Sequence, residues 1–137
     1  MAVGACRLAA ISRPSPEVSA ALESRLFDKR PGVAEAALLG LGHLGVERIK
    51  GRLEAWLAAA DVSAVADIAE ALGMIGDDQT VIMIGRRLKE VSETDACRMV
   101  TAIEQIGEQM AEVWLKRAAQ DHRAEVRRLA AELIGDA

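Results

Sequence analysis

"GLGHLG", Gly40–Gly45, matches the dinucleotide-binding turn G-x-G-x-x-G letter for letter. That turn needs a strand leading into it and a helix opening within it. The preceding residues, "VAEAALL" (Val33–Leu39), are Ala- and Leu-rich and favour helix over strand. The glycines therefore close a helix, and no phosphate-binding turn is expected. Their spacing answers to something else, because the same letters return further along the chain.

A shift of 31 residues carries "LGHLG" (Leu41–Gly45) onto "LGMIG" (Leu72–Gly76), then onto "IEQIG" (Ile103–Gly107), then onto "IGDA" (Ile134–Ala137), with no insertion. Leu41, Leu72, Ile103 and Ile134 form one apolar column, and Leu44, Ile75 and Ile106 another. Ala37, Ile68, Met99 and Ala130 lie one helical turn earlier. Three further columns are Val18, Ile49, Thr80 and Ala111; Leu22, Leu53, Ile84 and Leu115; and Leu26, Leu57, Leu88 and Ala119. Those last three are spaced by four and so share one helix face.

Each unit thus holds two helices. The spacing predicts first helices over 32–44, 62–75, 93–106 and 124–134, and second helices over 16–28, 47–60, 79–91 and 109–120. Ser15 ahead of Pro16-Glu17 reads as a cap followed by proline at the first helical position, and Pro31, Asp61, Ser92 with Asp95, and Asp121 mark the first-helix starts. Gly45, Gly76 and Gly107 fall where a left-handed residue ends a helix. Gly42, Gly73 and Gly135 occupy a second column, where a missing side chain lets neighbouring helices approach. The organisation is one domain over 1–137, with units at 1–30, 31–61, 62–92, 93–123 and a partial unit at 124–137.

Composition agrees with an all-α chain. The 137 residues are 51% hydrophobic, mostly aliphatic, with one Phe, two Trp and no Tyr. The 17 basic and 21 acidic residues leave a net charge of −4, which gives no global push toward nucleic acid or an anionic membrane. No apolar run approaches the roughly 20 residues that span a bilayer. The opening "MAVGACRLAAIS" lacks a basic leader, and Arg7 interrupts its apolar part, so it is not read as a signal peptide. Cys6 and Cys97 belong to units too far apart to be bridged and read as buried small hydrophobes in a cytoplasmic protein.

The segments "VAEAALLGLGHLG" (Val33–Gly45), "AVADIAEALGMIG" (Ala64–Gly76) and "DHRAEVRRLAAELIG" (Asp121–Gly135) resemble HEAT-like repeats, in the short form found in phycobilin-lyase-like proteins. The resemblance covers residues 15–137 and implies a right-handed α-solenoid of about four stacked two-helix repeats. Residues 1–12 then read as a lone, degenerate first helix, and 124–135 as a first helix without its mate. That last helix offers Val126, Leu129, Ala130, Leu133 and Ile134, more apolar surface than one covered face requires. The chain is accordingly read as a piece of a longer array, with self-association through open solenoid ends as the second reading.

In such stacks the second helices line the concave side. One position before each core column stand Arg48, Arg52 and Trp56; then Gln79, Met83 and Arg87; then Met110, Trp114 and Ala118, with Glu17, Ala21 and Arg25 before them. In register, Trp56 neighbours Arg87 and Met83 neighbours Trp114. Trp, Met and Arg are the types enriched at interface hot spots. The candidate partner-binding residues are Arg48, Arg52, Trp56, Met83, Arg87, Met110 and Trp114; the competing reading has both tryptophans filling gaps between units, with only their edges showing. The expectation is a non-catalytic protein-interaction scaffold with no cofactor.

Nucleic-acid binding is the alternative, through Arg25, Arg48, Arg52, Arg86, Arg87, Lys116 and Arg117, although Glu54, Glu90 and Glu112 are interleaved and the chain is acidic. The resemblance also brings in bilin lyase-like enzyme subunits, but no catalytic residue carries over. His43 and His122 lack the converging ligands a metal needs, and the His-Glu pairs of HEAT-like hydroxylases do not occur at either. Asp77-Asp78, a paired carboxylate by letters, sits at a helix start and reads as a cap. Ser63 and Ser92 read the same way.

Overall fold

The computed structural model describes residues 16–30 and 32–135. Among these the chain is all-helical, without a strand. The helices are α1 (Pro16–Ser24), α2 (Val33–His43), α3 (Lys50–Ala59), α4 (Val62–Leu72), α5 (Asp78–Arg86), α6 (Glu93–Ile106), α7 (Glu108–Ala118) and α8 (Ala124–Gly135). Short 3₁₀ turns at Arg25–Phe27, Glu47–Ile49 and Leu88–Glu90 complete the second helices expected from sequence. Gly40 and Gly42 lie inside α2, so a phosphate-binding turn there is excluded. The expected helix over 1–12, Cys6, Ser15 and Pro31 lie outside the described residues.

The helices contact one another in two rows. α2, α4, α6 and α8 touch in that order; α3, α5 and α7 form the second row, and α1 packs on α2. The phased columns are what fill the space between. Leu22, Leu53, Ile84 and Leu115 are buried, as are Ala37, Ile68, Met99 and Ala130. Leu41, Leu72 and Ile103 are buried too, each full burial of such a side chain contributing about 1.5–3 kcal/mol. Columns fade toward the ends: Val18, Leu26 and Ile134 are only half-buried. On α8 only Val126 and Ala130 are buried, with Leu129, Leu133 and Ile134 partly covered against the same core.

The glycine columns divide by mechanism. Gly45 and Gly107 adopt positive φ, +79° and +72°, as the turn reading requires. Gly76 does not; there a Cβ would sit 2.7 Å from Ile106 Cδ1 and 2.9 Å from the Leu72 carbonyl, so crowding demands the glycine. Gly42 allows close approach, since a Cβ would lie 2.6 Å from the Ala71 carbonyl of α4. Gly135 has nothing within 4 Å and makes no such approach.

The buried hydroxyl of Thr80, in the middle of an apolar column, is satisfied by Glu54 Oε2 at 2.6 Å. Thr80 and Asp77 also form a reciprocal capping box at the start of α5. Ser92 caps α6 through the Asp95 amide, whereas Asp61 occupies its cap position without a side-chain bond. The second carboxylate, Asp78, reaches across: its Oδ1 accepts the Met110 amide of α7, while Glu108 of α7 accepts the Asp78 amide. Each of these helix starts is thus capped in part by the other unit.

Candidate functional site

The second-helix row carries the candidate surface, and the structure separates its residues into those the fold uses and those it leaves over. Arg87 is used. Its Nη1 donates to the carbonyls of Leu57 and Ala60 at 2.9 and 2.6 Å, tying down the end of α3, and its remaining donors pair with Glu90. Arg87 thereby reaches the carbonyl of Leu57, the residue after Trp56. The guanidinium pairs inside the chain instead of being presented to a partner.

Trp114 is half-buried. Its bicyclic ring rests on Gly85 of α5, where a Cβ would come within 2.4 Å of the indole. Its Nε1 is buried with no hydrogen-bond partner among the described residues. Arg117 also stands over the indole, its guanidinium carbon 4.6 Å from the ring centroid. Trp56, Met83 and Met110 are likewise half-buried and packed against the core. Trp114 therefore fills space between α5 and α7, and each tryptophan keeps part of its surface outside.

Arg48 pairs with Glu23. Arg52 has no carboxylate partner among the described residues; it stands 6.0 Å from the ring centroid of Phe27, which is 83% exposed. Two arginine–aromatic pairs thus stand here, Arg52 of α3 with Phe27 of the 3₁₀ turn after α1, and Arg117 with Trp114 on α7. Phe27 was missed in the sequence because it follows a core leucine at a helix end, where no column singles it out. Arg86 and Arg117 share a column 31 residues apart, a signal that was legible but was read only as a nucleic-acid stripe.

The two rows differ in how their cations are held. On the first-helix row, Arg98 donates to Glu70, Asp67 and Asp95, and Arg128 to Glu125 and Glu132. Arg123 is anchored to Asp121, Val91 and Leu88, and Arg127 to the carbonyls of Asp121 and His122. On the second-helix row and the turns that end it, Lys29, Arg52, Arg86, Lys89 and Arg117 have no carboxylate or carbonyl partner among the described residues. What the fold gains from these cations is small, terminal dipole effects of about 0.3–1 kcal/mol each and, for Arg52 and Arg117, a ring contact of about 0.5–1 kcal/mol.

Other chemistry is thin. Among the described residues no three His, Cys, Asp or Glu side chains converge to hold a metal ion. The Cys97 thiol is half-buried, and burial together with Glu93 and Glu125 pushes its pKa up, away from the thiolate a nucleophile needs. His122 is exposed beside Asp121, and His43 is exposed at the end of α2. No described helix is long and apolar enough to cross a membrane. No family model matches the chain, and no curated protein matches it.

Proposed function

We propose that the chain is a right-handed α-solenoid of about four stacked HEAT-like two-helix repeats, acting in the cytoplasm as a non-catalytic scaffold that docks a partner protein along its second-helix row. The observation that supports this reading is the asymmetry between rows. Cations on one row are consumed by intramolecular pairs. On the other, Arg25, Arg48, Lys50, Arg87 and Lys116 are held. Arg52, Arg86, Lys89 and Arg117, however, have no carboxylate or carbonyl partner among the described residues and include the arginines beside Phe27 and Trp114. Arginine beside an aromatic, half in solvent, is the composition of an interface hot spot. A nucleic-acid groove fits less well, because Arg48 and Lys116 are paired with Glu23 and Glu112 and Arg87 is used internally, which breaks the basic stripe.

The test is affinity capture from the native cell with three baits: wild type, a Phe27→Ala/Arg52→Ala/Trp56→Ala variant, and a first-row control such as Arg128→Ala. Loss of a prey from the second-row variant alone is expected. Equal prey from all three baits refutes the docking surface, provided circular dichroism shows each bait folded.

A further inference from the structure

At the C-terminal ends of α5 and α7 lies an open pocket of about 580 Å³. Trp114 on Gly85 supplies an apolar wall, and Arg86, Lys89 and Arg117 line the rest together with Leu88. None of the three cations has a carboxylate partner among the described residues. The one acid in the lining, Asp121, is held by Arg123 at 2.9 Å and is largely shielded from solvent, so it does not answer them.

The ordinary preference for cations at helix ends accounts for Arg86 and Arg117, each in the last turn of its helix, and for Lys89, in the 3₁₀ turn that completes the same helix as Arg86. It does not account for the gathering of all three, without an acidic partner among the described residues, around one indole-walled pocket. Nor does it explain glycine at position 85, a residue that weakens a helix by up to about 1 kcal/mol relative to alanine. Gly85 lets the indole pack closely against α5, and the Arg117 guanidinium carbon stands 4.6 Å from the ring centroid. With no carboxylate or carbonyl partner among the described residues, the Arg117 donors are left for a bidentate acceptor.

We propose that this pocket binds an acidic segment of a partner protein, its carboxylates on Arg86, Lys89 and Arg117 and an adjoining apolar side chain against Trp114. The proposal rests on the docking reading above and specifies its chemistry. A peptide fits the observations better than a nucleic-acid strand. Three clustered cations fall short of the roughly 6–10 phosphate contacts typical of a strongly salt-dependent nucleic-acid site. The exposed Glu112 on α7 is a further obstacle to a phosphate backbone.

The chain has two tryptophans and no tyrosine, so a Trp56→Phe variant confines tryptophan emission to this pocket. The probes are a short synthetic peptide of glutamate and leucine, the same peptide with glutamine for glutamate, and single-stranded oligothymidylate. A saturable change with the acidic peptide only is expected, weakened roughly tenfold or more by Arg86→Gln/Lys89→Gln/Arg117→Gln. If Trp56→Phe fails to fold, the two indole N–H resonances of the wild type give the same readout. Equal response to the glutamine peptide, equal affinity of the triple variant, or tighter binding of oligothymidylate overturns the proposal. Capture separates this failure from failure of docking itself. A partner that the triple variant retains, and the Phe27/Arg52/Trp56 variant loses, leaves the scaffold standing and removes the acidic pocket alone.

Discussion

Alanine in place of glycine should change stability with opposite sign at two positions of this chain. Gly51 lies in the first turn of α3, exposed, with nothing within 4 Å of the position a Cβ would take. There alanine adds helix propensity, up to about 1 kcal/mol, and meets no opposition. Gly42 lies in the last turn of α2, buried, where the new methyl would be 2.6 Å from the Ala71 carbonyl oxygen and 2.9 Å from Leu53 Cδ1. A backbone carbonyl inside α4 cannot rotate away, so α2 and α4 must separate. Overpacking of this kind costs about 1–3 kcal/mol, and propensity recovers only part of it near a helix end. The net expectation is a loss of about 1–2 kcal/mol for Gly42→Ala. With roughly 4 °C per kcal/mol for a domain of this size, Tm falls by about 4–8 °C, against a rise of about 2–4 °C for Gly51→Ala. Gly73→Ala should be nearly neutral, because its nearest obstacle is the Gln105 side-chain amide at 2.5 Å, an exposed and movable end. Urea and thermal unfolding followed by circular dichroism measure all three. A Gly42→Ala chain as stable as wild type, or less affected than Gly73→Ala, would refute the close-approach account of that column.

Acid and the arginine clamps give two further outcomes. The Arg123 side chain, with help from its amide, lowers the Asp121 pKa from 3.8 to about 2, so the interaction contributes fully above about pH 4 and is lost as pH falls through about 2. At about 1.4 kcal/mol per unit this amounts to about 2 kcal/mol, and Asp121→Asn should flatten the acid limb of stability by that amount; parallel limbs for the two proteins count against it. Arg87→Ala should cost about 1–3 kcal/mol by leaving the Leu57 and Ala60 carbonyls without their donor. Arg87→Lys should recover less than half of that, because one ammonium does not reproduce the fork; full recovery in urea unfolding would contradict the geometry.

Helix positions and core columns were legible because burial repeats with the chain. Every unit must cover the same faces of its neighbours, so Leu22, Leu53, Ile84 and Leu115 announce themselves by phase. Thr80 shows the limit of that logic. Its column is apolar, yet the hydroxyl is tolerated because Glu54 and Asp77 lie within reach, a fact of three-dimensional placement that no column encodes. Gly76 and Gly107 occupy one column for different reasons, crowding at one and positive φ at the other, since a glycine letter does not say which freedom is being used. The candidate surface was half legible. The row was identified, but Arg87 was placed on the outside of it, and Phe27 and Lys89 had no periodic signal to mark them.

The arginines explain why. The carbonyl pairs Leu57/Ala60 and Leu88/Val91 are related by the 31-residue step, and both are bonded by a guanidinium. The donors, Arg87 and Arg123, are not related by that step. What the fold fixes is an acceptor that must be satisfied at each helix end; a long, flexible side chain can reach it from more than one sequence position. Structural arginines in this chain therefore drift out of phase, and phase alone cannot find them. Arg86 and Arg117 show the reverse: they keep the step, on successive helices of one row, and satisfy no carbonyl and no carboxylate among the described residues. Both cations suit the C-terminal turns they occupy and stay unspent on carbonyls or carboxylates of the described residues, so the proposed acidic partner is placed against them and not against Arg87, whose guanidinium is taken up inside the chain.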